Sequence, residues 1–139
     1  MPANTSPIFT NVGNFTPARI AAANTASDGS GTLVTLVTAG ANGSRVDGVR
    51  FRNAQVALAA SSNMVHRIFL TNTSGTTPRL IGEIATAAAT RSATAIGATS
   101  IFTFDQPIIM QPGQILSVCQ SVYASAADQF DATAYAGSY

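Results

Sequence analysis

The fold class is decided by the stretch from Gly31 to Thr38, which reads GTLVTLVT and leads into the sequence AGANGS at residues 39–44. Its β-branched residues have stiff side chains that suit the pleated surface of a sheet. Asn42-Gly43 is a strong turn signal, because both residues tolerate positive φ. A second strand begins at Arg45, so this stretch predicts two consecutive β-strands joined by a tight turn.

The same pattern recurs along the chain, with short β-rich runs separated by turn residues about every ten positions. Beyond the first strand at 31–38, we predict strands from residue 45 onward and over residues 54–60, 64–71, 79–85, 101–104, 108–110, 114–123 and 130–135. Residues 86–100 are rich in Ala, Thr and Ser and are expected to form an irregular loop. Asp105-Gln106-Pro107 is expected to interrupt a strand, and Pro112-Gly113 is typical of a type II turn.

The second strand needs one extra residue to keep its apolar side chains on one face. Val46, Val49 and Phe51 point inward together only if a β-bulge absorbs a residue, and Asp47-Gly48 is the place for it. The arginines of the same strand, at positions 45, 50 and 52, then lie mostly on the outer face.

These patterns predict an all-β protein: a single antiparallel, jelly-roll-like β-sandwich of about eight strands over residues 31–139. Residues 1–30 are expected to form an extended N-terminal arm, because three prolines and many polar residues disfavour regular structure there. A chain of 139 residues suits one domain.

Apolar residues interrupt the polar arm at Ile8, Phe9 and Phe15. Exposed side chains of this kind either dock on a neighbouring molecule or fold back on the sandwich. In the second case Phe15 caps the core and a strand starts within Ala18–Ala23. We expect docking on a neighbour.

Charge is scarce, since only 9% of the residues are charged and the net charge is +1. All seven basic residues are arginine, a side chain that suits protein interfaces, although a GC-rich genome would produce the same bias. Neither a nucleic-acid partner nor a membrane partner is expected. The single Cys119 cannot form an internal disulfide, and we expect a buried thiol in a protein made in a reducing cytoplasm.

Residues for catalysis are few. His66 is the only histidine, and it is expected on a sheet face with a local hydrogen bond. Asp128 and Asp131 could pair as in a glycosidase, but loop carboxylates of this kind usually cap or are solvated. No metal-ligand pattern or phosphate-binding loop is present. The sequence therefore predicts a non-enzymatic protein without a metal or cofactor.

Five segments together resemble a family of small virion proteins from tailed bacteriophages of proteobacteria. They are AGANGSRV at 39–46, VHRIFL at 65–70, RLIGEI at 79–84, FTFDQPIIMQPGQILS at 102–117 and AGSY at 136–139. The resemblance implies a jelly-roll-like structural protein of the particle, a capsid decoration or cement protein that binds the capsid exterior as a trimer. Its partners would be the major capsid protein and neighbouring copies of itself. A position in the tail remains an alternative.

Contacts with these partners are expected at six positions: Ile8, Phe9, Phe15, Arg45, Arg50 and Arg52. A different class of function is also open, in which the sandwich belongs to a tail fibre or baseplate and binds host-surface carbohydrate. Tyr123, Tyr135 and the loop from Asp128 to Asp131 would then form a shallow sugar site. The absence of tryptophan weighs against that alternative.

Overall fold

A computed structural model describes residues 12–55 and 59–139, and this part of the chain is almost entirely β-structure. It forms nine strands and one turn of 3-10 helix at Ala126–Asp128. The strands are β1 Val12–Asn14, β2 Ala18–Ile20, β3 Val34–Thr38, β4 Ser44–Asn53, β5 Met64–Thr71, β6 Pro78–Thr86, β7 Thr99–Met110, β8 Ile115–Gln120 and β9 Phe130–Ser138. The prediction of an all-β protein is confirmed.

The strands form two antiparallel sheets with the core between them. The first sheet has the order β1-β9-β4-β7, with β2 also paired to β9, and the second has the order β3-β8-β5-β6. β1 pairs with the end of β9 and β2 with its beginning, so they are two halves of one interrupted edge strand. Counted as one, they give eight strands in two four-stranded sheets, which is the arrangement of a jelly roll.

Part of the segment expected to form an arm belongs to the first sheet. Residues 12–14 and 18–20 pair with β9, and Pro17 falls between the two short strands, where it removes no ladder hydrogen bond. Of the alternative expectation, the strand is confirmed over Ala18–Ile20, but Phe15 does not cap the core, since it is 60% exposed. Ile8 and Phe9 lie outside the described residues.

The predicted bulge in β4 is confirmed. Val46 pairs with Ala136 and Gly48 pairs with Tyr135, so Asp47 is an extra residue opposite β9. The turn before β4 also forms as predicted, with Gly43 at φ 88°. The bulge shifts the alternation of side chains by one position for the rest of the strand.

Two strand predictions need correction. β7 continues through Asp105-Gln106-Pro107, although its pairing with β4 lapses between Thr103 and Ile108. Pro107 is tolerated because β7 lies at the edge of its sheet, where a missing N–H costs no ladder bond.

Over residues 54–60, the described positions form no strand beyond an isolated bridge from Ala60 to Thr90, and residues 56–58 lie outside the described part. The irregular loop predicted for 86–100 is present over residues 87–98.

The core contains large apolar side chains from both sheets. Phe51 and Phe130 enter from the first sheet, Ile68 and Leu116 enter from the second, and none of these four is exposed to solvent. Cys119 is buried as predicted, and burial raises the pKa of its thiol.

His66 lies inside this core rather than on an open sheet face. Its ring stacks on Phe51 with centroids 4.2 Å apart and lies 4.8 Å from Phe130. Nδ1 is 2.8 Å from the Thr86 hydroxyl oxygen, which is in turn 2.6 Å from the Ser100 hydroxyl oxygen of β7. The predicted local hydrogen bond is present, and through it His66 connects the two sheets. Burial lowers the pKa of His66 from 6.5 to about 4.

Acidification is expected to destabilise the protein through His66. The unfolded chain takes up a proton on this side chain near pH 6.5, whereas the folded protein does so only near pH 4. The contribution of neutral His66 to the free energy of unfolding is therefore complete above pH 6.5. About 3 kcal/mol of it is lost as the pH falls from 6.5 to about 4. Urea unfolding of the wild type and of His66→Gln across the window measures this loss. The wild type should lose that much more stability than the variant, and equal slopes would contradict the assignment.

The bulge in β4 depends on a residue without a side chain at position 48. A Cβ on Gly48 would lie 2.6 Å from the carbonyl oxygen of Phe102, so the backbone of β7 would have to move. We expect Gly48→Ala to lower the free energy of unfolding by about 1–3 kcal/mol. Gly40→Ala is the matched control, because a Cβ there has no atom within 4 Å. Equal stability of the two variants by chemical denaturation would show that the bulge tolerates a side chain.

Candidate interaction face

The outward side of the first sheet collects the predicted contact residues that the structure describes. We call this surface the arginine face and define it by Phe15, Arg45, Arg50, Arg52 and Tyr135. The bulge in β4 makes it possible, since strict alternation would place residue 45 and residues 50 and 52 on opposite sides. With one residue absorbed, all three arginines point away from the core.

Exposed apolar side chains extend the same surface onto β7. Ile101 pairs across the sheet with Arg50, and Ile109 pairs with Arg45. The two isoleucines are 50% and 53% exposed. Arginine and aromatic residues are enriched at protein interfaces, so the composition of this surface is typical of a protein contact surface.

Phe15 and Tyr135 form an aromatic ridge across this face. Their rings meet edge to face, with centroids 6.3 Å apart and planes at 68°, and Phe15 remains 60% exposed. One cleft, of about 390 Å³, lies on the side of Arg50 and Arg52 and is also lined by Arg91 from the 87–98 loop. A second cleft, of about 330 Å³, lies on the side of Arg45. The ridge lines both clefts.

Some of the charged side chains on or beside the face form ion pairs and others do not. Arg45 binds Asp47 at 2.7 Å, and Arg19 binds Asp131 at 2.9 Å, an ion pair whose hydrogen bond raises the pKa of Arg19. Among the residues that the structure describes, Arg50 and Arg52 make neither an ion pair nor a side-chain hydrogen bond. The larger cleft is therefore positively charged.

Asp128 begins the loop considered for a sugar site, and its carboxylate is bound to the backbone of neighbouring loops. Asp128 is 1% exposed, and its carboxylate accepts hydrogen bonds from the backbone N–H groups of Ser62 at 2.6 Å and Ala124 at 2.8 Å. Burial acts to raise the pKa of Asp128, but these hydrogen bonds outweigh it and leave the pKa below its usual value. Tyr123 lines neither of the two clefts. Of that predicted site, only Tyr135 and Asp131 reach the arginine face.

Within residues 12–55 and 59–139, no cluster of three or more His, Cys, Asp or Glu side chains is arranged to hold a metal ion. In the same part of the chain, no helix has the length and apolar character needed to span a membrane.

Four of the six predicted contact residues, Phe15, Arg45, Arg50 and Arg52, lie together on the arginine face. Ile8 and Phe9 lie outside the described residues. Tyr135 was considered only for a sugar site, although alternation with Asp131 and Thr133 in β9 places it on the outer face. No local signal could have placed Arg91 beside β4, because it arrives through an irregular loop.

No protein-family model matches the chain, and no curated protein matches it.

The two aspartates near β9 should behave differently when neutralised. Asp128→Asn keeps the size of the side chain but places an amide NH₂ or a weaker acceptor against backbone N–H donors, so we expect a loss of about 1–3 kcal/mol in the free energy of unfolding. Asp131→Asn breaks only an exposed ion pair and should leave stability nearly unchanged. Thermal and urea unfolding compare the two variants. A larger loss for Asp131→Asn would refute the structural role of Asp128.

Proposed function

We propose that this protein is a non-enzymatic structural component of a tailed-phage particle, which decorates and stabilises the capsid exterior as an oligomer, with a trimer favoured. The arginine face is the surface that contacts the shell. Its partners are the major capsid protein and neighbouring copies of the same chain.

The observation that carries this proposal is the composition of the arginine face. Exposed isoleucine, an aromatic ridge and arginines without a carboxylate partner lie together on one sheet. Arginine and aromatic residues are enriched at protein interfaces and contribute most of their binding energy.

The scaffold behind the face suits a contact that must resist force. β4 and β9 are the inner strands of the first sheet, with hydrogen-bonded neighbours on both sides, and their inward residues lie in the core. The outward side chains are therefore attached to a paired backbone, and little backbone entropy is lost on binding. Several copies in a symmetric oligomer could engage the shell together, so modest contacts would combine into slow dissociation.

Reversing the charge of two arginines in β4 should strongly weaken binding to the shell. Particles assembled without this protein are incubated with wild type, with Arg50→Glu/Arg52→Glu, or with Arg79→Glu, and the bound copies are counted after sedimentation. Arg79 is the matched control because it is an exposed arginine on the second sheet. We expect saturable binding by wild type and Arg79→Glu, and a loss of about a hundredfold or more in affinity for the double variant.

All three proteins are first shown to unfold with similar free energies, so that a loss of binding is not a loss of folding. Light scattering reports the oligomeric state of each. Failure of the wild type to bind the particles would overturn the proposed function. Equal binding by the double variant would instead show that the shell contacts another surface.

A further inference from the structure

The arginine cleft, as we call the larger cleft beside β4, holds more positive charge than the protein itself neutralises. Arg50 and Arg52 extend into it from β4, and Arg91 reaches it from the loop. Arg91 donates from its Nη1 to the backbone carbonyl of Gln55 at 3.0 Å, which fixes its position without neutralising its charge. Asp131 is the only carboxylate that lines the cleft among the described residues, and Arg19 already binds it through two hydrogen bonds.

The remaining carboxylates of the chain cannot balance these arginines. The sequence contains six acidic residues, and none lies in the segments 1–11 and 56–58 outside the described part. Asp47 and Glu83 are paired with Arg45 and Arg67. Asp28 accepts from Ser30, and Asp128 is buried beneath Ser62. Asp105 is exposed on β7 and lines neither cleft on the arginine face.

We propose that the arginine cleft binds a carboxylate side chain from an acidic peptide segment of a protein partner. A guanidinium presents parallel N–H donors that match the two oxygens of a carboxylate, and such charge-assisted pairs are the stronger hydrogen bonds of proteins. Arg50 and Arg91 are only partly exposed, so their charges are less screened than those of free surface arginines. The identification of the partner as the shell protein depends on the proposed function, but the chemistry of the cleft does not.

The apolar and aromatic wall of the cleft indicates which kind of residue should lie next to the acidic residue of the ligand. Phe15, Pro17 and Tyr135 form part of this wall. An apolar or aromatic residue next to the acidic one could pack on this wall while the carboxylate meets the guanidinium groups. The expected ligand is therefore a peptide in which each acidic residue has an aromatic neighbour.

A nucleic acid fits the face less well than a peptide. A phosphate backbone requires basic residues along an extended stripe, whereas here the unpaired arginines gather at one cleft. Asp47 is 52% exposed at its side chain next to Arg45, and it would repel a polyanion that continued along β4. The overall charge of +1 gives no long-range attraction for such a ligand.

The test uses the full chain and two short peptides, N-acetylated and C-amidated, with the sequences Phe-Glu-Glu-Phe and Phe-Gln-Gln-Phe. Binding is followed by NMR through the arginine Nε–Hε signals, which report weak as well as tight binding. We expect the glutamate peptide to shift the signals of the cleft arginines and the glutamine peptide to leave them unchanged. Added salt should weaken the binding.

Matched variants locate the site. Arg50→Gln, Arg52→Gln and Arg91→Gln should each lower the affinity for the glutamate peptide by about tenfold, because each removes one charge-assisted contact. Arg79→Gln, on the second sheet, should leave the affinity unchanged. Equal binding of the two peptides, no binding of either by the wild type, or an equal loss with Arg79→Gln would overturn the proposal.

Three further outcomes test the class of ligand and separate this proposal from the proposed function. A short oligothymidylate that binds the cleft more tightly than the glutamate peptide would overturn the assignment to a peptide carboxylate. Binding to particles without binding to the peptide would refute the chemistry of the cleft and leave the structural function in place. Binding to the peptide without binding to particles would support the chemistry of the cleft and refute the proposed function.

Discussion

The antiparallel pairing of β4 with β9 determines both the core and the surface of this protein. The two strands run side by side from Ser44 opposite Ser138 to Asn53 opposite Phe130. Side chains that alternate inward fill the space between the sheets, and those that alternate outward form the arginine face. A slip of one residue in this register would exchange the two sets, placing guanidinium groups in the core. The bulge at Asp47 is the local exception that keeps Arg45 on the same side as the other arginines.

The protein has few charged side chains, and the roles of several ionisable groups can be read from their contacts. The buried Asp128 carboxylate organises the loops near β9 through backbone hydrogen bonds, and the buried His66 connects the two sheets while it is neutral. These two groups serve the fold. Arg50, Arg52 and Arg91 have no comparable role within the described residues, and they converge on one cleft. A protein with so few charges is expected to keep such a cluster for a partner.

Much of the fold was predictable because local signals agreed with the final topology. Residues 64–71 form a strand with the predicted bounds, since turn residues lie at either side and the pattern between them is strongly β-forming. The interrupted edge strand of β1 and β2 was harder to foresee, because it is short and polar and depends on pairing with β9 more than a hundred positions away. Whether Pro107 ends a strand depends on that strand lying at a sheet edge, which is a property of the whole fold. The candidate site divides in the same way, with the arginines of β4 predictable and Arg91 not.

The most direct test is a density map, at a resolution that shows side chains, of the phage particle to which we propose that this protein belongs. We expect density for this protein on the outside of the shell, with the arginine face buried against a protein surface and a partner carboxylate next to Arg50 or Arg52. A map in which that face is open to solvent, with the second sheet forming the contact, would contradict it. So would a complete particle that lacks the protein.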